Sequence, residues 1–212
     1  FMLISSILII IFFIVGTKKV NIVPSKIQLL NELVFNFISK MINETAGPNA
    51  RPYFPFILTI FLFILTLNMV GLLPYAFTVT SQIIITFFLA IVIFVGVTII
   101  GFIKNGVGFL KIFAPSGVPI FLFPIIVAIE IISFLSRPVS LSVRLFANML
   151  AGHTMLKVFG GFVVSLGIVG GWLPLSFSVA LTALEILVAF LQAYVFAVLS
   201  CIYLNDALNM HH

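Results

Sequence analysis

"SVRLFANMLAGH", residues 142–153, sets an arginine, an asparagine and a histidine in a run that is otherwise almost all apolar. A centred arginine costs about 2.5–3.5 kcal/mol on membrane-insertion scales. Such a charge must therefore be excused by its surroundings, and the surroundings are apolar in both directions. The chain of 212 residues is 63% hydrophobic and 7% charged, where a soluble domain carries about a quarter charged residues. With a mean hydropathy of +1.38, it reads as an all-α polytopic membrane protein forming a single membrane domain over residues 1–212.

Hydrophobic runs and their breakers divide that domain. Residues 1–15 read as a first span whose beginning lies before this sequence, because a full span needs about 20 residues. No basic region or cleavage site marks a signal peptide. Residues 25–44 place Ile27, Leu30, Leu33, Val34, Phe37, Ile38, Met41 and Ile42 at steps of three and four, with Lys26, Glu32, Lys40 and Glu44 between them. That pattern predicts an amphipathic helix on the membrane surface, the alternative being a helix packed on a soluble partner. Residues 53–73 and 81–103 form a transmembrane hairpin. Residues 119–168 and 175–209 are each too long to stand upright. At 1.5 Å per residue the first would measure about 70 Å, against a hydrocarbon core of about 30 Å. Either two spans are concealed in 119–168 or one helix is strongly tilted. The glycine-rich "GIVGGWLP", residues 167–174, breaks the chain between the two.

The net charge of +5 does not signal nucleic acid, because of where it sits. Lys18, Lys19, Lys26, Lys40, Arg51, Lys104 and Lys111 all lie between hydrophobic spans, the arrangement of loops held on the cytoplasmic or matrix side. The threading that follows puts the N-terminus outside, the 74–80 loop outside, the 104–116 loop inside, the 167–174 turn outside and the C-terminus inside. The single Cys201 forms no internal disulfide. No phosphate-binding loop and no metal-ligand spacing occurs. "NET" at 43–45 falls on the inner side and is discounted as a glycosylation site. His211–His212 reads as a polar tail. No cofactor is expected.

Intramembrane polar residues mark ion paths, and helical spacing sorts them. Glu130, Arg137 and Arg144 are seven apart, drift only about 20° per step and share a stripe with Asn148 one turn on. His153 falls on roughly the opposite face and Lys157 shares that face. Glu185, Gln192 and Asp206 form a second stripe on the last helix. Paired antiparallel, the two stripes could line watery passages. Plainer readings stand beside these. Arg137 could snorkel or pair with Glu130, Lys157 could snorkel, and His153 could be a packing residue. Asn148 and Gln192 could simply join helices by hydrogen bonds. Arg144 resists such a reading, since it lies far from either end of its segment with no acid at i±3 or i±4.

"SRPVSLSVRLFANMLAGH" and "LTALEILVAFLQAYVFAVLSCIYLNDAL", together with "LTLNMVGLLPYAFTVTS" and "GVGFLKIFAPSGVP", closely resemble subunit a of the F-type ATP synthase membrane sector. The resemblance covers most of the chain. It implies transmembrane helices, a surface amphipathic helix and a long, strongly tilted C-terminal helical hairpin facing a ring of c subunits. It implies a proton-conducting stator subunit with no catalytic site of its own. Two offset aqueous half-channels would load and unload protons on c-ring carboxylates. On this resemblance Arg144 is the essential arginine, with Asn148 and Gln192 its polar partners. His153 and Glu185 serve the outer half-channel and Glu130 the inner, with Arg137 and Asp206 as secondary candidates. The implied partners are the c-ring, the peripheral stalk and other membrane-sector subunits, the lipid bilayer and protons, with no nucleic acid. The placing of imidazole and acid resembles mitochondrial and alphaproteobacterial members, so the inner mitochondrial membrane is expected, or alternatively a bacterial plasma membrane. A secondary transporter would show pseudo-repeated halves, which this sequence lacks. A purely structural subunit would tolerate neutral replacements at Arg144, Glu185 and His153.

Overall fold

The protein is described by a computed structural model covering residues 2–17, 25–73, 78–106, 108–109 and 123–208. Its helices are α1 (Met2–Thr17), α2 (Lys26–Thr45), α3 (Phe54–Gly71), α4 (Ile83–Asn105), α5 (Phe123–Gly170) and α6 (Trp172–Leu208). Short 3₁₀ turns, Pro48–Tyr53 and Val79–Ser81, lead into α3 and α4. No strand occurs among the described residues. Among the described residues four helices are long and apolar enough to cross a membrane: Pro48–Gly71, Ile83–Asn105, Phe123–Gly167 and Trp172–Leu208. Lys18, Lys19, Lys111, most of the 104–116 loop and the His211–His212 tail lie outside the described residues.

The ambiguity over 119–168 resolves into one helix. α5 runs unbroken through Pro138, which is buried against the bundle, until Gly167 takes φ 63° and ψ −161°. Only glycine enters that left-handed region at no steric cost, so the break falls there. The chain turns over four residues, with Gly171 N–H donating to Gly167 C=O at 2.9 Å. It resumes as a helix at Trp172, earlier than 175. Pro174 does not delay it, because the first turn of a helix needs no backbone donor there. A helix of 45 residues spans about 68 Å, so it cannot lie along the membrane normal within a core of about 30 Å.

Packing explains why α6 sits at the centre. Lipid is as apolar as leucine, so helix association rests on close approach rather than on water exclusion. α6 presents Ala189, Ala193, Ala197 and Cys201 at four-residue steps, each fully buried. These small side chains let α3 come near, burying Ile57, Phe61 and Ile64. α2 buries Ile38, Met41 and Ile42 in the same core. Phe37 stacks near Phe61 and Tyr194 with centroids 5.9 and 5.6 Å apart. The first half of α2 leaves Leu29, Leu30 and Leu33 exposed, and Ser25 caps its start by accepting from the Gln28 N–H at 3.3 Å. α5, by contrast, leaves Ile125, Ile129, Ile132, Leu135, Val139 and Val143 uncovered along its length.

Candidate functional site

Three side-chain pairs fix the register of α5 on α6. Arg137 Nη1 donates to Asp206 Oδ2 at 3.1 Å. Asn148 Nδ2 donates to Gln192 Oε1 at 3.0 Å. His153 Nε2 lies 3.9 Å from Glu185 Oε1. Rising numbers on α5 meet falling numbers on α6, as antiparallel pairing requires. Arg137 and Asn148 of the first stripe thus meet Asp206 and Gln192 of the second, whereas Glu130 and Arg144 pair with no described residue and Glu185 meets His153 from the other face of α5. One sequence reading is corrected: Arg137 pairs with Asp206 across the hairpin rather than with Glu130 in its own helix.

The pair at the α4 start is open and under-satisfied. Glu185 is 5% exposed, yet neither carboxylate oxygen has a hydrogen-bond partner among the described residues. His153 Nε2 also lies 3.1 Å from Thr78 Oγ1. Thr80, in the adjoining 3₁₀ turn, has a buried hydroxyl without a partner. Glycine at 152 makes room for the acid, since a Cβ there would meet Glu185 Oε1 at 2.5 Å. An ionised carboxylate buried without a partner costs several kcal/mol. At 3.9 Å the His153 nitrogen stands just beyond hydrogen-bonding distance of the acid and does not satisfy it.

Near the other end of α4 the polar groups are satisfied. The Arg137 guanidinium lies 4.9 Å from the Tyr203 ring centroid and 5.5 Å from that of Phe134. Asp206 holds it from the third side. A pocket lined by Phe94, Val97, Thr98 and Phe109 backs this pair. Asn105 Nδ2 donates to the Ala207 carbonyl at 2.5 Å, tying the end of α4 to the end of α6. Glu130 is half-buried two turns before Arg137 and makes no ion pair with a described residue.

Arg144 stands between the two clusters. It is exposed on the uncovered side of α5, beside exposed Val143, Ala147 and Asn148. It forms no ion pair with any described residue, and Tyr203 lies within its electrostatic reach. A guanidinium remains protonated in any protein setting. A fixed cation on an apolar outer face demands an anion from elsewhere.

Against this geometry stand the comparisons with known proteins. The family model for the ATP synthase A chain matches residues 1–205. The chain belongs to the ATP synthase A chain family. A protein of Pelagibacter ubique named ATP synthase subunit a is 73% identical over 212 residues, 100% of this chain and 87% of that one. Those of Mesorhizobium japonicum and Maricaulis maris, with the same name, are 54% and 52% identical over 95% and 100% of this chain and 82% and 88% of theirs. The family is therefore the one that the arginine-bearing and glutamate-bearing stretches resembled.

Several residues around the candidate site escaped the sequence reading. Thr78, Thr80 and Gly152 carry no charge and no periodicity. Their role depends on the 3₁₀ turn folding back onto α5. Asn68 was legible in principle as a lone amide in an apolar span. It is fully buried, and its Nδ2 donates to the Ala189 carbonyl at 3.3 Å, between Glu185 and Gln192 on α6. Tyr203 and Phe134 read as ordinary apolar positions until Arg137 is seen between them. Among the described residues no group of His, Cys, Asp and Glu could hold a metal ion.

Proposed function

We propose that the chain is the proton-conducting stator subunit of a rotary F-type ATP synthase, holding no catalytic site of its own. Family membership supports the membrane-sector role. The observation that carries the finer reading is the exposed Arg144, which forms no ion pair with a described residue, between two polar clusters of opposite character. The anion it demands is a carboxylate on the c-ring, which would travel along the uncovered face of α5. A proton enters at His153 and Glu185, groups able to exchange it without large rearrangement. It neutralises the ring carboxylate, which can then move through lipid at low cost. It leaves on the inner side near Glu130, with Arg137 and Asp206 as secondary candidates beside that path. Arg144 favours the ionised ring carboxylate as it passes and cannot relay a proton itself, so no direct leak joins the two paths. At about 200 mV each proton delivers about 4–5 kcal/mol to rotation.

The remaining partners are the peripheral stalk, other membrane-sector subunits and the bilayer. The bacterial relatives favour a bacterial plasma membrane over the inner mitochondrial membrane. The basic residues between spans favour an outer N-terminus and an inner C-terminus. The test is Arg144→Ala in the assembled complex reconstituted into vesicles. Proton-driven ATP synthesis should vanish while assembly persists, and Arg144→Lys should fail as well, because a desolvated ammonium can lose its proton. Normal synthesis in Arg144→Ala would refute the reading.

A further inference from the structure

We infer that Thr78 is a positioning residue for His153: its hydroxyl fixes the imidazole and switches between donor and acceptor as Nε2 loses and gains a proton. The inference rests on the proton-path reading above. Four contacts support it. The Thr78 hydroxyl is 3.1 Å from His153 Nε2, against 3.9 Å for the Glu185 carboxylate. Thr78 is therefore the hydrogen-bonding partner of that nitrogen, and Glu185 stands just beyond bonding distance. The Thr78 carbonyl is itself pinned, accepting from Ser81 Oγ at 2.8 Å and from Ser81 N–H at 3.3 Å across the 3₁₀ turn. Finally, the Thr78 methyl sits against Gly71 of α3, where a Cβ would come to 2.7 Å from Thr78 Cγ2.

These contacts determine the side chain's orientation. A β-branched residue is stiff at χ1. With its methyl lodged in the space left by Gly71, its hydroxyl is aimed at the imidazole. A hydroxyl is both donor and acceptor, and its hydrogen rotates freely. When Nε2 is bare the Thr78 O–H donates to it. When Nε2 carries a proton it donates to Thr78 Oγ1. The same heavy-atom contact thus serves both states with no displacement of the ring. Glu185 cannot do this alone, since an ionised carboxylate only accepts. Among the described residues the surroundings contain no competing charge. Glu185 is the titratable group facing His153 from α6, α3 carries none, α4 carries only Lys104 at its far end, and Lys157 on α5 is exposed.

The experiment uses the whole complex in vesicles, varying the pH of the outer compartment and then of the inner one. Thr78→Val keeps the shape and removes the hydroxyl, whereas Thr78→Ser keeps the hydroxyl. Thr78→Val should slow proton-driven synthesis about fivefold, the effect of one hydrogen bond. It should also move the outer-pH dependence while leaving the inner-pH dependence in place. Thr78→Ser, which keeps the hydroxyl but gives up the methyl that aims it, should lose clearly less than Thr78→Val. An unchanged Thr78→Val, or a Thr78→Ser equally impaired, overturns the inference. If Thr78→Val fails to assemble, Gly71→Ala decides. That variant should displace the threonine methyl and slow synthesis, and adding Thr78→Ser should relieve it. An unimpaired Gly71→Ala, or no relief, overturns the inference. Arg144→Ala run alongside separates the two layers: activity there defeats the proton-path reading itself, whereas its loss beside a normal Thr78→Val defeats only the role of Thr78.

Discussion

The two ends of the α5–α6 hairpin use the same residue classes to opposite effect. At one end a base and an acid stand 3.9 Å apart, with both acid oxygens unpartnered and a threonine hydroxyl nearer the base. At the other an arginine and an aspartate bond at 3.1 Å, closed in by two aromatic rings. The first arrangement is unfinished, and it is the one through which the proposed proton path would pass. The second is complete, and its cation has no proton to give. A buried polar group left without a partner is costly, so its persistence at one end and not the other points to use rather than to packing.

The sharpest way to break this contrast is Glu185→Gln. It preserves volume and removes the exchangeable proton. Positioned acid–base groups contribute about 10²–10⁴-fold, so proton-driven synthesis in reconstituted vesicles should fall by about a hundredfold or more. Asp206→Asn should fall far less. Equal losses at the two ends would erase the distinction. Next in size is Gly152→Ala. Its Cβ would press on Glu185 Oε1, an end of a flexible side chain that can move aside. Synthesis should drop by about fivefold, short of the Glu185→Gln loss, since one rotamer shift costs about 1 kcal/mol. No effect at Gly152 would mean that the acid does not work from the observed position.

How much of this was legible beforehand depended on whether a residue's meaning was local. The stripes Glu130–Arg137–Arg144 and Glu185–Gln192–Asp206 follow from helical spacing, and the antiparallel pairing of their helices follows from the short turn between them, but that Arg144 faces away from the second stripe does not. The partner choice of Arg137 did not follow. Glu130 in its own helix and Asp206 in the next were both open, and only the register selects Asp206. The turn itself was visible as glycines, but Gly167 as the break and Trp172 as the restart required backbone angles. Thr78 and Gly152 were silent because nothing in their immediate sequence sets them against His153 and Glu185. The small-residue stripe Ala189–Ala193–Ala197–Cys201 has a four-residue period, yet its burial depends on α3 lying across it.

At the closed end, Asp206→Asn tests whether the ion pair is structural. Asp206's side chain is 43% exposed and that of Arg137 21%, so screening holds its worth to about 1 kcal/mol or less. The expected result is a small loss of resistance to denaturant in detergent, with synthesis reduced only a few-fold. Arg137 keeps its contacts with Phe134 and Tyr203 in that variant, which is why collapse of the hairpin is not expected.

Between the two ends lies the mildest test, the bond from Asn148 to Gln192. Gln192 is buried and its Nε2 has no partner, whereas Asn148 is exposed. Hydrogen bonds between membrane helices average about 0.6 kcal/mol in double-mutant cycles. Asn148→Ala, Gln192→Ala and the double variant should therefore give a coupling of that order in unfolding from detergent. A structural bond would show the same coupling whether or not the complex is turning over. Asn148 shares the uncovered face with Arg144, so the proton-path reading requires more. Asn148→Ala alone should slow synthesis while costing little stability, because the side chain is partly free to meet the passing rotor. If stability and synthesis instead fall in proportion across all three variants, the middle of the hairpin is only a fastening, and the contrast between its ends must be explained without a moving partner.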